Sequence, residues 1–210
     1  MEHLDLLLNR VKNLSDKVNQ KKESDVHVSN IFNKQLSKLL VEGCYLSVIL
    51  ERIKADNPDT ESTQLNLDIK SLYIFSKIFT ESVIYLTSLF VKSTPDIKWE
   101  KLGPFIAYSE KHLDDQPETF VLFWKECGQS IKALQSTLGY RNNIAHSKKS
   151  DVEWTMHWSG LDNLEMSKIV NFPWEDDAIG GKMETLAPND LMMGISKNIT
   201  VIINYLENNF

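Results

Sequence analysis

Residues 67–91 read LDIKSLYIFSKIFTESVIYLTSLFV, and this stretch decides the fold class. Its large apolar residues recur every three or four positions, at Leu72, Phe75, Ile78, Phe79, Val83, Leu86 and Phe90. This spacing follows the turn of an α-helix, and the apolar residues cover much of the helix circumference. We therefore predict a helix over about 67–91 at the centre of a helical bundle. Glu81 is the notable charge within it.

The same period recurs on both sides of this central segment. It predicts amphipathic helices over about 4–18, 28–53, 99–113, 118–138 and 191–206. The breaks between them carry turn residues, including Asn57-Pro58, Thr94-Pro95 and Gln116-Pro117. Proline cannot continue a preceding helix, so these positions separate the elements. The pattern is typical of a mainly α protein, a bundle of five or six helices.

Between the last two of these helices the period changes to two. Val152, Trp154, Met156 and Trp158 alternate with polar residues, which predicts a strand. A second strand around residues 166–172 completes a small β-hairpin inserted at about 152–172, before the C-terminal helix. We expect Trp154 and Trp158 either to pack the hairpin on the bundle or to stack on a base. The whole chain, 1–210, is predicted to form one domain.

Net charge and the length of the apolar runs limit the classes of function that the chain can have. The chain has 210 residues, 42% of them hydrophobic and 25% charged, with a net charge of −6, so its surface as a whole does not attract nucleic acid. Residues 83–91 form the densest apolar run, far short of the roughly 20 residues of a membrane span. No signal-peptide pattern opens the sequence. We therefore expect a cytoplasmic protein without a membrane partner.

Cysteine and histidine usage excludes two further classes of site. Cys44 and Cys127 each lie in an apolar helical pattern without a CxxC partner, which predicts two buried, reduced thiols. None of the five histidines is paired with another at the i, i+4 spacing of a helical metal site. We predict no metal and no cofactor.

One window departs from the acidic average. No acid occurs from Gly128 to Ser150, and five basic or titratable residues cluster there: Lys132, Arg141, His146, Lys148 and Lys149. Such a window is a candidate anion site. At about 100° per residue, Asn142 and His146 share one helix face, whereas Arg141 diverges from His146. They converge only through the long arginine side chain, a bend near Gly139, or a groove between two chains.

The run Arg141-Asn142-Asn143-Ile144-Ala145-His146 resembles the signature of the HEPN superfamily, an arginine, a polar residue and a histidine after a short spacer. The helical context agrees, because HEPN domains are small helical bundles with the signature late in the chain, at the end of a long helix. The resemblance implies metal-independent cleavage of RNA, as in toxins or phage-defence effectors. It also implies a homodimer with a shared cleft and an antitoxin or regulatory protein as a possible partner.

The resemblance suggests roles for single residues. Arg141 would stabilise the phosphorane, His146 would transfer protons and Asn142 would orient the histidine or bind a phosphate. The RNA phosphates would also be bound by Lys132, Asn143, Lys148 and Lys149. Glu81 would supply an acid from another helix to the arginine and histidine, or would occupy an ordinary solvated position.

A non-catalytic interpretation stands beside this one. The same bundle could be a HEPN-like dimeric scaffold, or a module that binds a partner protein or a nucleotide. Arg141 would then pair with a carboxylate such as Glu81. His146 would have a favourable position at a helix C-terminus.

Overall fold

The computed structural model describes residues 2–21, 26–55, 62–138, 155–158, 164–167 and 188–209. Six α-helices are described: α1 (Glu2–Lys21), α2 (Val26–Ala55), α3 (Ser62–Thr87), α4 (Leu102–Lys111), α5 (Glu118–Leu138) and α6 (Pro188–Asn209). The predicted mainly helical bundle is thus confirmed. Its apolar faces meet in one continuous core, as the 3.6-residue pattern requires.

Helix α3 is central, as predicted. It packs against α2, α4, α5 and α6. With α2 it forms an antiparallel pair, in which the rings of Tyr45 and Phe75 lie 5.5 Å apart and Arg52 forms an ion pair with Asp68. From the first contact to the second, the residue number rises along α2 and falls along α3. The two contacts therefore show that the helices are antiparallel, and they define the register of the pair.

Helix α3 differs from the predicted span at both ends. It begins at Ser62 and stops at Thr87 rather than at residue 91. The hydroxyl of Ser88 donates a hydrogen bond to the Tyr85 carbonyl oxygen at 2.6 Å, and the amides of Ser88 and Phe90 form three-residue turns. A serine hydroxyl that bonds to nearby carbonyls in this way competes with the helical ladder, and here it accompanies the helix end.

Helix α6 closes the bundle. It packs against α1, α3 and α5 through fully buried isoleucines that include Ile195, Ile199 and Ile202. At the far end of α6 the Arg10 guanidinium donates a hydrogen bond to Asn204 and lies 3.9 Å from a Glu207 carboxylate oxygen. The C-terminal helix therefore joins the first helix to the middle of the fold.

Aromatic rings fill the junction between α4 and α5. The ring of Phe105 lies 4.8 Å from that of Trp99 and 5.7 Å from that of Trp124, between ring centroids. Phe120 adds an edge contact to Trp99 at 5.7 Å. Offset and edge-to-face ring pairs of this kind stabilise a core beyond the area that they bury. The cluster fixes α4 on α5.

Two short strands lie between α5 and α6. β1 (Thr155–Trp158) pairs antiparallel with β2 (Leu164–Ser167), and Thr155 is opposite Ser167. The rest of the predicted hairpin, including Trp154 and the segment after Ser167, lies outside the described residues.

The two cysteines differ from each other, which corrects the prediction of two buried thiols. Cys127 on α5 is buried, but Cys44 on α2 is exposed. Cys44 falls on the outer side of α2, on the same face as exposed Val41 and Val48, because α2 carries apolar residues on its outward face too. Burial raises the pKa of the Cys127 thiol to about 12, with a further contribution from the charge of Glu126.

Candidate functional site

The sequence motif itself lies outside the described residues. This applies to Arg141, Asn142, Asn143 and His146, and to the basic residues Lys148 and Lys149 that follow. The structure does describe the helix that leads to them. α5 ends at Leu138, whose side chain is buried, so the motif starts three residues after a fixed point of the core.

The start of α4 is next to the last turns of α5. The side-chain amide of Gln135 lies 3.6 Å from the position that a Cβ atom would take at Gly103. Gly103 is the second residue of α4, and Gln135 is three residues before the end of α5. The N-terminus of α4 and the C-terminus of α5 therefore lie at one end of the bundle.

Glu81 lies at this same end and has a defined structural role. Its carboxylate accepts a hydrogen bond from the Leu102 amide at 3.3 Å and lies 4.0 Å from the Lys77 ammonium. The N-cap residue of α4, Lys101, makes no side-chain capping bond. Glu81 thus provides from α3 the acceptor that the α4 N-terminus lacks, and its negative charge suits the helix dipole. It is three-quarters buried, not an ordinary solvated position.

A cavity of about 280 Å³ opens beside Glu81. Its walls come from α2, α3 and the segment before α4, and its lining residues are Gln35, Lys38, Ile78, Glu81, Ser82, Tyr85 and Glu100. Most ligand pockets combine an apolar surface with a few polar groups, and Tyr85 and Ile78 supply the former here. Sequence reasoning singled out Glu81 alone, because Gln35 and Lys38 of α2 come close to it only when α2 pairs with α3.

Glu42 is a buried acid one helical turn from the cavity residue Lys38. The Lys38 ammonium is 3.7 Å from one carboxylate oxygen of Glu42. The other oxygen, Oε2, is buried and has no hydrogen-bond partner among the described residues. Sequence reasoning missed this acid, which looks like one more polar residue of an amphipathic helix.

Lys132, a predicted phosphate ligand, is already paired. Its ammonium lies 2.6 Å from a Glu110 carboxylate oxygen and 5.9 Å from the centre of a Trp124 ring. Glu110 belongs to α4, so the acid-free window of the sequence is not acid-free in space. An RNA phosphate would compete with Glu110 for this lysine.

Two kinds of feature are missing from the described residues. No three histidine, cysteine, aspartate or glutamate side chains gather there as metal ligands would. None of the helices in these segments combines the length and apolarity needed to cross a bilayer.

Comparison with known proteins adds no relative. No protein-family model, no curated protein and no solved structure matches this chain.

Proposed function

We propose that this chain is a metal-independent endoribonuclease of the HEPN type. The run from Arg141 to His146 carries the proposal. Its support from the fold is the buried end of α5 at Leu138, because this end of the bundle also contains the α4 N-terminus and Glu81. A mainly helical bundle with the motif after a long, well-packed helix is the setting that the resemblance implies.

The proposed reaction needs no metal. The RNA 2′-oxygen attacks the adjacent phosphorus, its proton passes to a base, and the bond to the 5′-oxygen breaks as that oxygen gains a proton. The products are a 2′,3′-cyclic phosphate and a free 5′-hydroxyl. A histidine side chain can take up and release protons near neutral pH, which is the role proposed for His146. The fork of donors on Arg141 suits the charge that builds up on phosphorus. Asn142 orients the histidine or binds a phosphate.

One histidine cannot easily serve as base and acid in the same step. Two copies of the motif in one cleft remove this difficulty, so we propose a homodimer that acts on RNA in the cytoplasm. Lys132, Asn143, Lys148 and Lys149 would hold the flanking phosphates, with Lys132 exchanging Glu110 for RNA. Glu81 would bring its carboxylate towards Arg141 while it holds α4.

The decisive experiment is an RNA-cleavage assay in EDTA. We expect the wild type to cleave and His146→Ala and Arg141→Ala to lose at least about a hundredfold in rate, as expected when a general acid–base or an electrostatic stabiliser is removed. His112→Ala is the matched control, because His112 is a partly exposed histidine outside the motif, with Asp115 as its neighbour. Cleavage that survives in His146→Ala would refute the proposal.

A biological role as a toxin or phage-defence effector follows from the same activity. Expression of the wild type should then arrest bacterial growth, and expression of His146→Ala should not. An antitoxin or regulatory protein would be recovered as the factor that relieves the arrest. Growth arrest by both forms would separate toxicity from RNA cleavage.

The cavity beside Glu81 favours a second candidate, a non-catalytic HEPN-like scaffold that binds a nucleotide or a partner. Tyr85 could stack on a base and Glu81 could accept hydrogen bonds from its amino groups. Nucleoside monophosphates titrated by calorimetry would test this. Binding that Tyr85→Ala abolishes, together with no cleavage by the wild type on several RNAs, would favour the scaffold.

A further inference from the structure

One face of α2 is apolar and about half exposed. Val41, Tyr45 and Val48 lie on one side of the helix, and they are 52%, 53% and 51% exposed. Positions three and four apart share a helix face, so the three side chains form one stripe. Aligned apolar residues of this size are uncommon on a surface that contacts only water.

Helix α3 extends the stripe. The half-buried Phe75 has its ring 5.5 Å from that of Tyr45, and Ile78, one turn further along α3, is exposed. We call the surface formed by Val41, Tyr45, Val48, Phe75 and Ile78 the α2–α3 face. It is apolar in its middle and bounded by charged residues.

The charges at one end have a specific arrangement. Arg52 and Asp68 face each other across the two helices and satisfy each other. Glu51 is turned by about 100° from Arg52, and Lys70 by about 200° from Asp68, so these two residues fall on the outer edges of the face. Neither forms an ion pair with another described residue. They lie at nearly the same level along the helices.

We propose that the α2–α3 face binds a second copy of this chain, with a two-fold axis parallel to both helices. Such an axis leaves every residue at its own level and places α2 of one copy on α3 of the other. Tyr45 then meets Phe75 of the partner subunit, and Val41 meets Ile78 of the partner subunit. Glu51 comes beside Lys70 of the partner subunit on the outer edge.

The charge pattern favours a second copy over an unrelated protein. The face contains its own complement, since the apolar residues of α2 meet those of α3 and the acid on one edge meets the base on the other. An unrelated partner would require no such match between two edges of one chain. Both outer edges gain an ion pair in the dimer because the arrangement is symmetric.

The same axis also serves the proposed nuclease, and to this extent the inference rests on the proposed function. Because the levels are unchanged, both copies have the C-terminus of α5 at the same end of the dimer. Two motifs that follow Leu138 would start on one side of the assembly. A shared site needs this arrangement, whereas an axis perpendicular to the helices would send the two ends in opposite directions.

Sedimentation velocity of the full chain over a range of concentrations tests the inference. We expect a dimer for the wild type, and a Kd raised at least about tenfold in Tyr45→Glu, since an aromatic residue at an interface centre contributes most to affinity. Leu122→Glu is the matched control, because Leu122 is an apolar residue on α5 whose exposed fraction is similar to that of Tyr45. A wild-type monomer, or equal dimerisation of both variants, would overturn the proposal.

A charge exchange tests the orientation of the axis. Glu51→Lys should weaken the dimer several-fold, because it places two lysines side by side, and Lys70→Glu alone should do the same. The double variant Glu51→Lys/Lys70→Glu should restore the wild-type Kd. No restoration would refute the parallel axis even if Tyr45→Glu dissociates the dimer.

Cleavage measured on the same samples keeps the two proposals apart. A wild-type dimer that Tyr45→Glu dissociates, but that cleaves no RNA, supports the face and refutes the nuclease. Cleavage that His146→Ala abolishes and Tyr45→Glu leaves intact supports the nuclease and refutes the role of this face in it.

Discussion

Replacement of Glu81 separates its structural role from its proposed role in catalysis. Glu81→Ala removes the acceptor of the Leu102 amide and one partner of Lys77. Loss of a capping acceptor costs about 1 kcal/mol, and loss of an i, i+4 ion pair about 0.3–0.5 kcal/mol. We therefore expect the free energy of unfolding to fall by about 1.5 kcal/mol.

Glu81→Gln is the informative comparison, because its amide oxygen can still accept the Leu102 hydrogen bond. Only the charge is lost, so the expected cost is about 0.5 kcal/mol. Urea denaturation at one fixed protein concentration measures both variants, since dimerisation makes stability depend on concentration. The melting temperature of the alanine variant should fall by about 3–6 °C for a chain of this size.

A catalytic role for Glu81 predicts a different relation between the cleavage rates of the two variants. If the Glu81 carboxylate also holds Arg141, cleavage should fall at least about tenfold in both variants, as when a charged hydrogen-bond partner is lost. If Glu81 only caps α4, Glu81→Gln should cleave RNA like the wild type. Equal, negligible losses of stability in the two variants would refute the capping argument itself.

Four further predictions concern stability and reactivity. Gly194→Ala should stabilise the protein by about 0.5–1 kcal/mol in urea denaturation, because Gly194 lies inside α6 and, apart from its own helix backbone, no atom of the described residues lies within 4 Å of the added Cβ; a loss of stability would contradict this. Phe105→Ala should cost about 3–5 kcal/mol by the same measurement, since the buried ring contacts that of Trp99. A thiol reagent should modify Cys44 alone in the native protein, and Cys127 only after unfolding. Because the folded pKa of Cys127 is about 12 and the unfolded value 9.0, ionisation of this thiol does not affect the free energy of unfolding well below pH 9 and lowers it by about 1.4 kcal/mol per pH unit between pH 9 and about 12. Cys127→Ala should lack that part of the slope, and identical slopes would contradict the burial argument.

The apolar period was sufficient to predict the helices because each of them buries one stripe of its own residues. Leu72, Val83 and Leu86 of α3 are all fully buried, as their spacing required. The ends of helices were less predictable. The stop at Thr87 comes with a hydrogen bond from Ser88, which the apolar pattern of residues 83–91 does not reveal.

The proposed site also combines a feature that the sequence reveals with contacts that it does not reveal. The motif from Arg141 to His146 is a local pattern, and sequence alone identified it. The partners of Glu81 and Lys132 are not local. Leu102 is 21 residues from Glu81, and Glu110 is 22 residues from Lys132, so no periodicity could reveal either contact.

The sequence by itself determined that this chain forms a helical bundle, because helix periodicity and the burial of apolar stripes depend on residues close along the chain. It also identified the run from Arg141 to His146. Only the tertiary structure decided that Glu81 caps α4, that Lys132 is paired, and that Tyr45 remains exposed beside Phe75. These features depend on which helix faces which, and long-range packing sets that choice.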